Sequence, residues 1–231
     1  MSRVINNYLA VKRDVEKTCS ACGRNPDEVK LLVVSKTIPV PVLMELYDHG
    51  IREFAENREP ELAMKFDAMP KDIIWHFIGP VQSNKIRKVV KLAHFIHSVD
   101  SLDRLERFER IAGEESVKPG IFLEVNVSGE ESKGGMTAAE LPAVAARAMQ
   151  CRNLDIRGLM TMAPFEAGIA ELEKVFNGLR LLKEEQENTL NCCFPDLSMG
   201  MSGDFATAIR CGATVVRVGS KIFEGIGRAS Q

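Results

Sequence analysis

Residues 31–35 read Leu-Leu-Val-Val-Ser, a run too short for a helix, bounded by Lys30 and Lys36 and followed by Pro39 and Pro41. It reads as a strand, and because both of its faces are apolar, as one buried in a parallel sheet covered by helices. On its N-terminal side, apolar and charged residues interleave at helical spacing from Val4 to about Cys22, until Gly23, Asn25 and Pro26 stop the helix. On its C-terminal side, residues 42–49 read as a helix that ends at Gly50. The alternation then recurs to the end of the chain. Further strands are expected at 51–55, 73–78, 94–98, 120–127, 155–161, 197–199 and 214–218. Helices fall between them at 59–69, 83–92, 102–112, 138–149, 169–187 and 204–210, with a helical turn after Gly219.

Strands that alternate with helices pair in parallel, and eight such units in a chain of 231 residues suit a closed barrel better than an open sheet. The expected fold is α/β, a single (β/α)8 TIM barrel with an extra N-terminal helix. No composition break marks a linker, so residues 1–231 are expected to form one domain. An open doubly wound sheet is the runner-up, but no Gly-x-Gly-x-x-Gly follows an early strand to hold a dinucleotide.

A hydrophobic fraction of 45% and a charged fraction of 27% exclude a disordered or low-complexity chain. With a formal charge of -2, no global field recruits nucleic acid or an anionic membrane. No apolar run approaches the ~18 residues that cross a bilayer, and no secretory signal is visible, so a cytoplasmic location is expected. Six cysteines, two of them adjacent at Cys192 and Cys193, do not form a disulfide framework.

In such barrels the strand C-terminal ends and the loops after them carry the chemistry. That rule selects Lys36 after strand one, Glu56 and Asn57 after strand two, Gly79 and Gln82 after strand three, and Asn126 and Ser128 at the end of strand five. Lys36 extends the buried run directly. A lysine whose pKa falls through partial burial or neighbouring positive charge becomes a nucleophilic amine able to form a Schiff base. A strand-end lysine can equally snorkel into solvent, and position alone leaves both readings open.

Residues 198–204, Ser-Met-Gly-Met-Ser-Gly-Asp, join a short strand to a helix through small residues whose backbone N–H groups can receive an anion. Val218-Gly219-Ser220-Lys221 repeats the arrangement after strand eight. Either loop alone is commonly only a helix cap, but two in neighbouring units point to a phosphate. Arg217 lies inside the apolar run 214–218, on one face with Val215 and Gly219, and needs either a ligand or a barrel carboxylate such as Glu124. Phe122, Glu124, Asn126 and Ser128 share one face of strand five and are expected to line the interior. His76 reads as a hydrogen-bonded core residue. The Cys19–Cys22 spacing reads as structural, and the spacing of His94 and His97 does not support a metal site. Lys85, Arg87, Lys88 and Lys91 read as a solvated helix face.

Six stretches taken together resemble the pyridoxal phosphate homeostasis proteins over nearly the whole chain. They are Leu-Val-Val-Ser-Lys-Thr at 32–37, Glu56-Asn57, Trp-His-Phe-Ile-Gly-Pro-Val-Gln-Ser-Asn-Lys at 75–85, Gly-Leu-Met at 158–160, Leu-Ser-Met-Gly-Met-Ser at 197–202 and Val-Arg-Val-Gly at 216–219. The resemblance implies a barrel similar to the N-terminal domain of alanine racemase, with pyridoxal 5′-phosphate (PLP) held as a Schiff base on Lys36. It further implies that Asn57 lies near the cofactor, that Ser202, Gly219 and Ser220 hold its phosphate, and that Arg217 faces its pyridine nitrogen. The chain departs from the family at Ala55, where glycine is usual, at Arg58, where tyrosine is usual, and at Ser220, where threonine is common.

An arginine at the ring nitrogen disfavours its protonation and weakens the ring as an electron sink. The function expected from the resemblance is therefore PLP binding for cofactor homeostasis by a protein that is not a conventional enzyme, with PLP-dependent apo-enzymes as partners and the monomer as its state. The alternative is a PLP-dependent amino-acid racemase, which usually needs acid–base groups on both faces of the substrate. Tyr8 and Tyr47 are the only tyrosines, and neither falls at a predicted strand end. A third class, a Schiff-base aldolase acting on sugar phosphates, follows from the barrel and the lysine alone.

Overall fold

β1 (Lys30–Val34) and β8 (Val215–Val218) lie side by side and parallel in the computed structural model, with Lys30 opposite Val215 and Val33 opposite Val218. The structure describes residues 2–130 and 134–227. The pairing of first strand with last closes the sheet. Between them β2 (Glu53–Glu56), β3 (Ile74–Phe77), β4 (Phe95–Val99), β5 (Gly120–Glu124), β6 (Asp155–Met160) and β7 (Asp196–Ser198) follow in sequence order, each parallel to the next.

The helices are α1 (Arg3–Ala21), α2 (Val40–Asp48), α3 (Glu59–Ala68), α4 (Ile86–Leu92), α5 (Leu102–Glu115), α6 (Leu141–Ala148), α7 (Ile169–Leu190) and α8 (Phe205–Arg210). A 3-10 turn at Ser83–Lys85 precedes α4, inside the stretch read as a single helix. The expected barrel with an additional N-terminal helix is thus the observed fold.

Strand periodicity divides the core in two. Leu32, Val34, Ala55, Phe122, Met160 and Val215 pack together inside the barrel, whereas their outward neighbours Val33, Phe54, Ile121, Leu123, Leu159 and Val216 pack with the helices. Both layers are buried, so a polar side chain on the inner face needs a partner there.

α1 packs on α2 and α8 and ties the chain's ends together. Asn7 Nδ2 donates to the carbonyls of Ile222 and Glu224, both at 3.0 Å, and so holds the segment after β8. That segment is a series of turns, with the Phe223 N–H on the Gly219 carbonyl at 3.0 Å.

One expectation fails in β5. The strand ends at Glu124, and Asn126 and Ser128 do not line the interior. Asn126 instead builds its own loop, its Oδ1 accepting from Ser128 Oγ at 3.1 Å and from the Gly129 N–H at 3.0 Å. Asn side chains stabilise turns in this way in competition with a strand.

Candidate functional site

The chain leaves β1 through a tight turn, with the Ile38 N–H on the Ser35 carbonyl at 3.0 Å. Lys36 and Thr37 are its central residues, and Thr37 has φ 61°. A β-branched residue in the left-handed region is strained, and such strain persists only where the surroundings impose it. Here they do. Lys65, from α3 and 1% exposed, donates to the Ser35 carbonyl at 2.8 Å and to Glu56 Oε1 at 2.6 Å. Ser35 Oγ also meets Glu56 Oε1, at 2.6 Å, and Glu56 is fully buried. This cluster lies on the outer face of β1 and β2, between the barrel wall and α3, and leaves the exposed Lys36 at the mouth.

Lys36, Thr37, Asn57, Arg58, Gly219 and Ser220 are among the residues lining a cavity of about 300 Å³, at the lower end of the range for small-molecule sites. Asn57 sits against the next strand's exit: a Cβ at Gly79 would lie 2.1 Å from the Asn57 carbonyl oxygen, so only glycine lets these backbones meet. Gly219 likewise abuts β1, where a Cβ would come 2.9 Å from the Val34 carbonyl oxygen. The Gly219 N–H donates to Ser202 Oγ at 3.3 Å, which joins the two loops that follow β7 and β8. The N–H groups of Ser202, Gly203, Ser220 and Lys221 have no protein acceptor among the described residues. Together with the Ser220 hydroxyl they form a donor set of the kind that suits a phosphate. Arg58, at the N-terminus of α3, pairs with Glu61 at 3.7 Å and adds a cation to the rim.

Arg217 points into the barrel, as the alternation with Val215 and Gly219 predicts, and is 4% exposed. It does not line the cavity. Its Nη1 donates to Ser198 Oγ at 2.6 Å and its Nη2 to the Thr161 carbonyl at 3.0 Å. Burial lowers its pKa to about 10, partly offset by the charges of Glu124 and Asp204, so the guanidinium stays charged at neutral pH. The barrel-carboxylate account takes a weaker form than a salt bridge: Glu124 acts on Arg217 through space. Burial pushes the Glu124 carboxyl up to about 7, Asp100 adds to the shift, and Arg217 and Arg104 oppose it.

The structure thus brings Lys36, Asn57, Gly219 and Ser220 to one cavity, sets Ser202 against Gly219, and puts Arg217 two residues before Gly219 on the inner face of β8. His76 is a buried, hydrogen-bonded residue, as its isolation in a strand implied. The basic face of α4 is matched by acids of neighbouring helices, Lys85 and Lys88 by Glu59, Arg87 by Glu114 and Glu115, and Lys91 by Glu115. Cys19 is buried in the core and Cys22 is exposed. Three residues of consequence escaped sequence reasoning. Lys65 looks like any helical lysine, and the inward aim of His97 and Ser198 was signalled only by strand alternation with Phe95 and the shortness of β7.

The model for the family "Alanine racemase, N-terminal domain" matches residues 9–225. A pyridoxal phosphate homeostasis protein of Aquifex aeolicus is 36% identical over 210 residues, which are 90% of this chain and 92% of that one. The structure of PipY of Synechococcus elongatus PCC7942 with PLP bound superposes with a TM-score of 0.81 at 37% identity, covering 91% of this chain and 99% of that one. The alanine racemase of Clostridium difficile 630 shares the fold at a TM-score of 0.77 and 14% identity, covering all of this chain but 59% of the racemase.

Proposed function

The chain belongs to the pyridoxal phosphate homeostasis proteins, within the alanine racemase N-terminal domain family, and on that premise we propose that it binds PLP at the barrel mouth for cofactor homeostasis rather than for turnover. PLP brings an aldehyde that condenses with a lysine amine and a phosphate ester that accepts hydrogen bonds. Lys36 is the amine we assign to it. Ser202, Gly219 and Ser220 are the phosphate donors, Asn57 contacts the cofactor from the second strand's end, and Arg217 serves the ring nitrogen from below the cavity.

The observation that carries this reading is the joint lining of one cavity by Lys36 and by the Gly219–Ser220 loop, whose N–H groups include ones with no protein acceptor among the described residues. A lysine opposite an anion site fits a phosphorylated aldehyde. Lys221, the neighbouring alternative for attachment, lies over the Phe205 ring at 4.9 Å.

Among the described residues no tyrosine supplies racemisation with a second acid–base group at the cavity. Lys36 can serve one face of a substrate, but Tyr8 lies on α1, Tyr47 donates its hydroxyl to Asp72 at 2.8 Å, and neither lines the cavity. The recipients we propose are PLP-dependent apo-enzymes, supplied by a monomer acting in the cytoplasm. No helix among the described residues is long and apolar enough to cross a membrane.

The test is to incubate the protein with PLP, reduce with borohydride and map the modified peptide. A cofactor mass on Lys36, absent from Lys36→Ala, is the expected result; a mass on Lys221 or on no lysine overturns the assignment. Inversion of a free L-amino acid at about one turnover per second or faster would replace the homeostasis reading with a racemase.

A further inference from the structure

Behind Arg217 a row of polar side chains crosses the barrel interior, whose other residues are mainly apolar. Ser198 Oγ, which accepts from Arg217, lies 2.8 Å from His97 Nδ1. His97 Nε2 lies 3.0 Å from His76 Nδ1, and His76 Nε2 lies 3.0 Å from Glu53 Oε2. Lys30 Nζ closes the row on Glu53 Oε2 at 2.8 Å. The strands used are β8, β7, β4, β3, β2 and β1, so no local sequence signal links them. Phe95 stacks on His76 at 4.6 Å between ring centres and Phe122 on His97 at 4.1 Å, which leaves each ring little freedom to turn.

The two ends of the row fix the direction of every bond in it. A guanidinium only donates and a carboxylate only accepts. Glu53, held at about 2 by His76 and Lys30 against the effect of burial, is a carboxylate, so His76 must present an N–H from Nε2. A neutral His76 then has a bare Nδ1, which must accept from His97 Nε2. The bare Nδ1 of His97 must accept in turn from the Ser198 hydroxyl, whose oxygen is left to accept from Arg217. Protonating His76 would reverse the inner links, because its Nδ1 would then donate and His97 would have to move its proton to Nδ1. Burial, the largest influence on both rings, opposes that and lowers both pKa values. Lys30 and His94 add to it at His76 while Glu53 favours the proton there, and His76, Arg217 and Lys30 add to it at His97.

We propose that Glu53, His76, His97 and Ser198 form a one-directional hydrogen-bond relay that positions Arg217 beneath the cavity, with each imidazole carrying a single proton on Nε2. None of the four touches the cavity, so they are positioning residues. A neutral hydroxyl in place of a carboxylate at Arg217 fixes the guanidinium without neutralising it, which keeps its charge for a ring nitrogen. The relay's consequence for cofactor binding rests on the PLP reading; its proton placement does not.

Long-range proton–nitrogen spectra of the nitrogen-15-labelled, PLP-free protein read the tautomers directly, from about pH 6 to about pH 8. His76 and His97 are expected as Nε2–H forms throughout, apart from the exposed His49 and His94. An Nδ1–H form or a doubly protonated ring at either buried position overturns the relay. Ser198→Ala should weaken PLP binding about tenfold, as loss of a hydrogen bond to a charged group does, and should release His97 to a mixture of tautomers. Ser198→Thr, which keeps a hydroxyl, should restore both. Unchanged affinity in Ser198→Ala, in a protein that binds PLP, overturns the positioning role. Failure of the unmodified protein to bind PLP overturns the functional reading instead, and the spectra then decide the relay on their own.

Discussion

Two sets of buried polar residues serve the same barrel mouth by different means. On the outer wall, Lys65, Glu56 and Ser35 meet at a single carboxylate oxygen, so opposite charges are in contact and what they pin is backbone, the carbonyl of Ser35. Inside the barrel, charge sits at the ends of the row, on Arg217 and on Glu53 with Lys30, with a hydroxyl and two imidazoles between, and what is pinned is the direction of a side chain. A contact pair is suited to holding a strained turn. A row of neutral links is suited to aiming a charge without cancelling it.

The contrast predicts very different penalties for removing one member. Lys65→Met strands the Glu56 carboxylate, which is fully buried and already has one oxygen, Oε2, without a partner. The expected loss is about 3–5 kcal/mol in urea unfolding, with most of it recovered by the double change Lys65→Met and Glu56→Gln. A loss under about 1 kcal/mol would mean that the pair is not the clamp described.

The interior also predicts a pH signature. Glu53 titrates at about 2 in the folded protein, below the usual 4.5, so its contribution is present above 4.5 and is lost as pH falls through about 2. Glu124 titrates at about 7, above the same ordinary value, so its contribution is complete below 4.5 and is lost as pH rises through about 7. Each amounts to about 3 kcal/mol at most. Glu53 should therefore raise stability from pH 2 to 4.5, whereas from 4.5 to 7 Glu124 lowers it against the gain that the depressed His76 and His97 give as pH rises to their ordinary 6.5. Glu124→Gln should make this second limb more favourable while leaving the first unchanged. A second limb unchanged in Glu124→Gln would place the raised pKa elsewhere.

Strain at the turn is the next smaller effect. Thr37 at φ 61° would be relieved by glycine, with an expected gain of about 0.5–1 kcal/mol after the extra freedom glycine brings to the unfolded chain. The same change should slow trapping of PLP on Lys36, because the turn then loses its preference for one geometry. Faster trapping would show that the strain hinders rather than positions the amine.

What was legible in the sequence was whatever one strand or one loop declares by itself. Lys36 extends an apolar run, Arg217 interrupts one, and Gly219-Ser220 is a loop of small donors; their places at the mouth and on the inner face were readable from neighbours in the chain, whereas their roles toward a cofactor came only from the family resemblance. Residues whose role depends on closure were hidden. Lys65 is buried only because the face of α3 that carries it lies over the exits of β1 and β2. His97 and Ser198 meet because closure brings β4 and β7 within reach across the interior. Asn126 was misplaced for a local reason: Val125 and Val127 continue the strand's alternation, but the Asn126 amide hydrogen-bonds within its own loop.

The smallest effect on stability is expected at the residue for which the largest role is proposed. Lys36 is exposed and makes no hydrogen bond or ion pair among the described residues, so Lys36→Ala should shift stability by less than about 0.5 kcal/mol while abolishing covalent capture of PLP. Phosphate contacts through Ser202, Gly219 and Ser220 should leave weaker, reversible binding, visible as quenching of intrinsic fluorescence that dialysis removes. The comparison of the two buried sets predicts this separation. On the proposed reading Lys36 has no need of burial: the Glu56–Lys65 cluster holds its turn and the relay would hold Arg217, which leaves the amine exposed at the mouth. A loss of several kcal/mol in Lys36→Ala would place Lys36 within the clamp and remove the distinction between them.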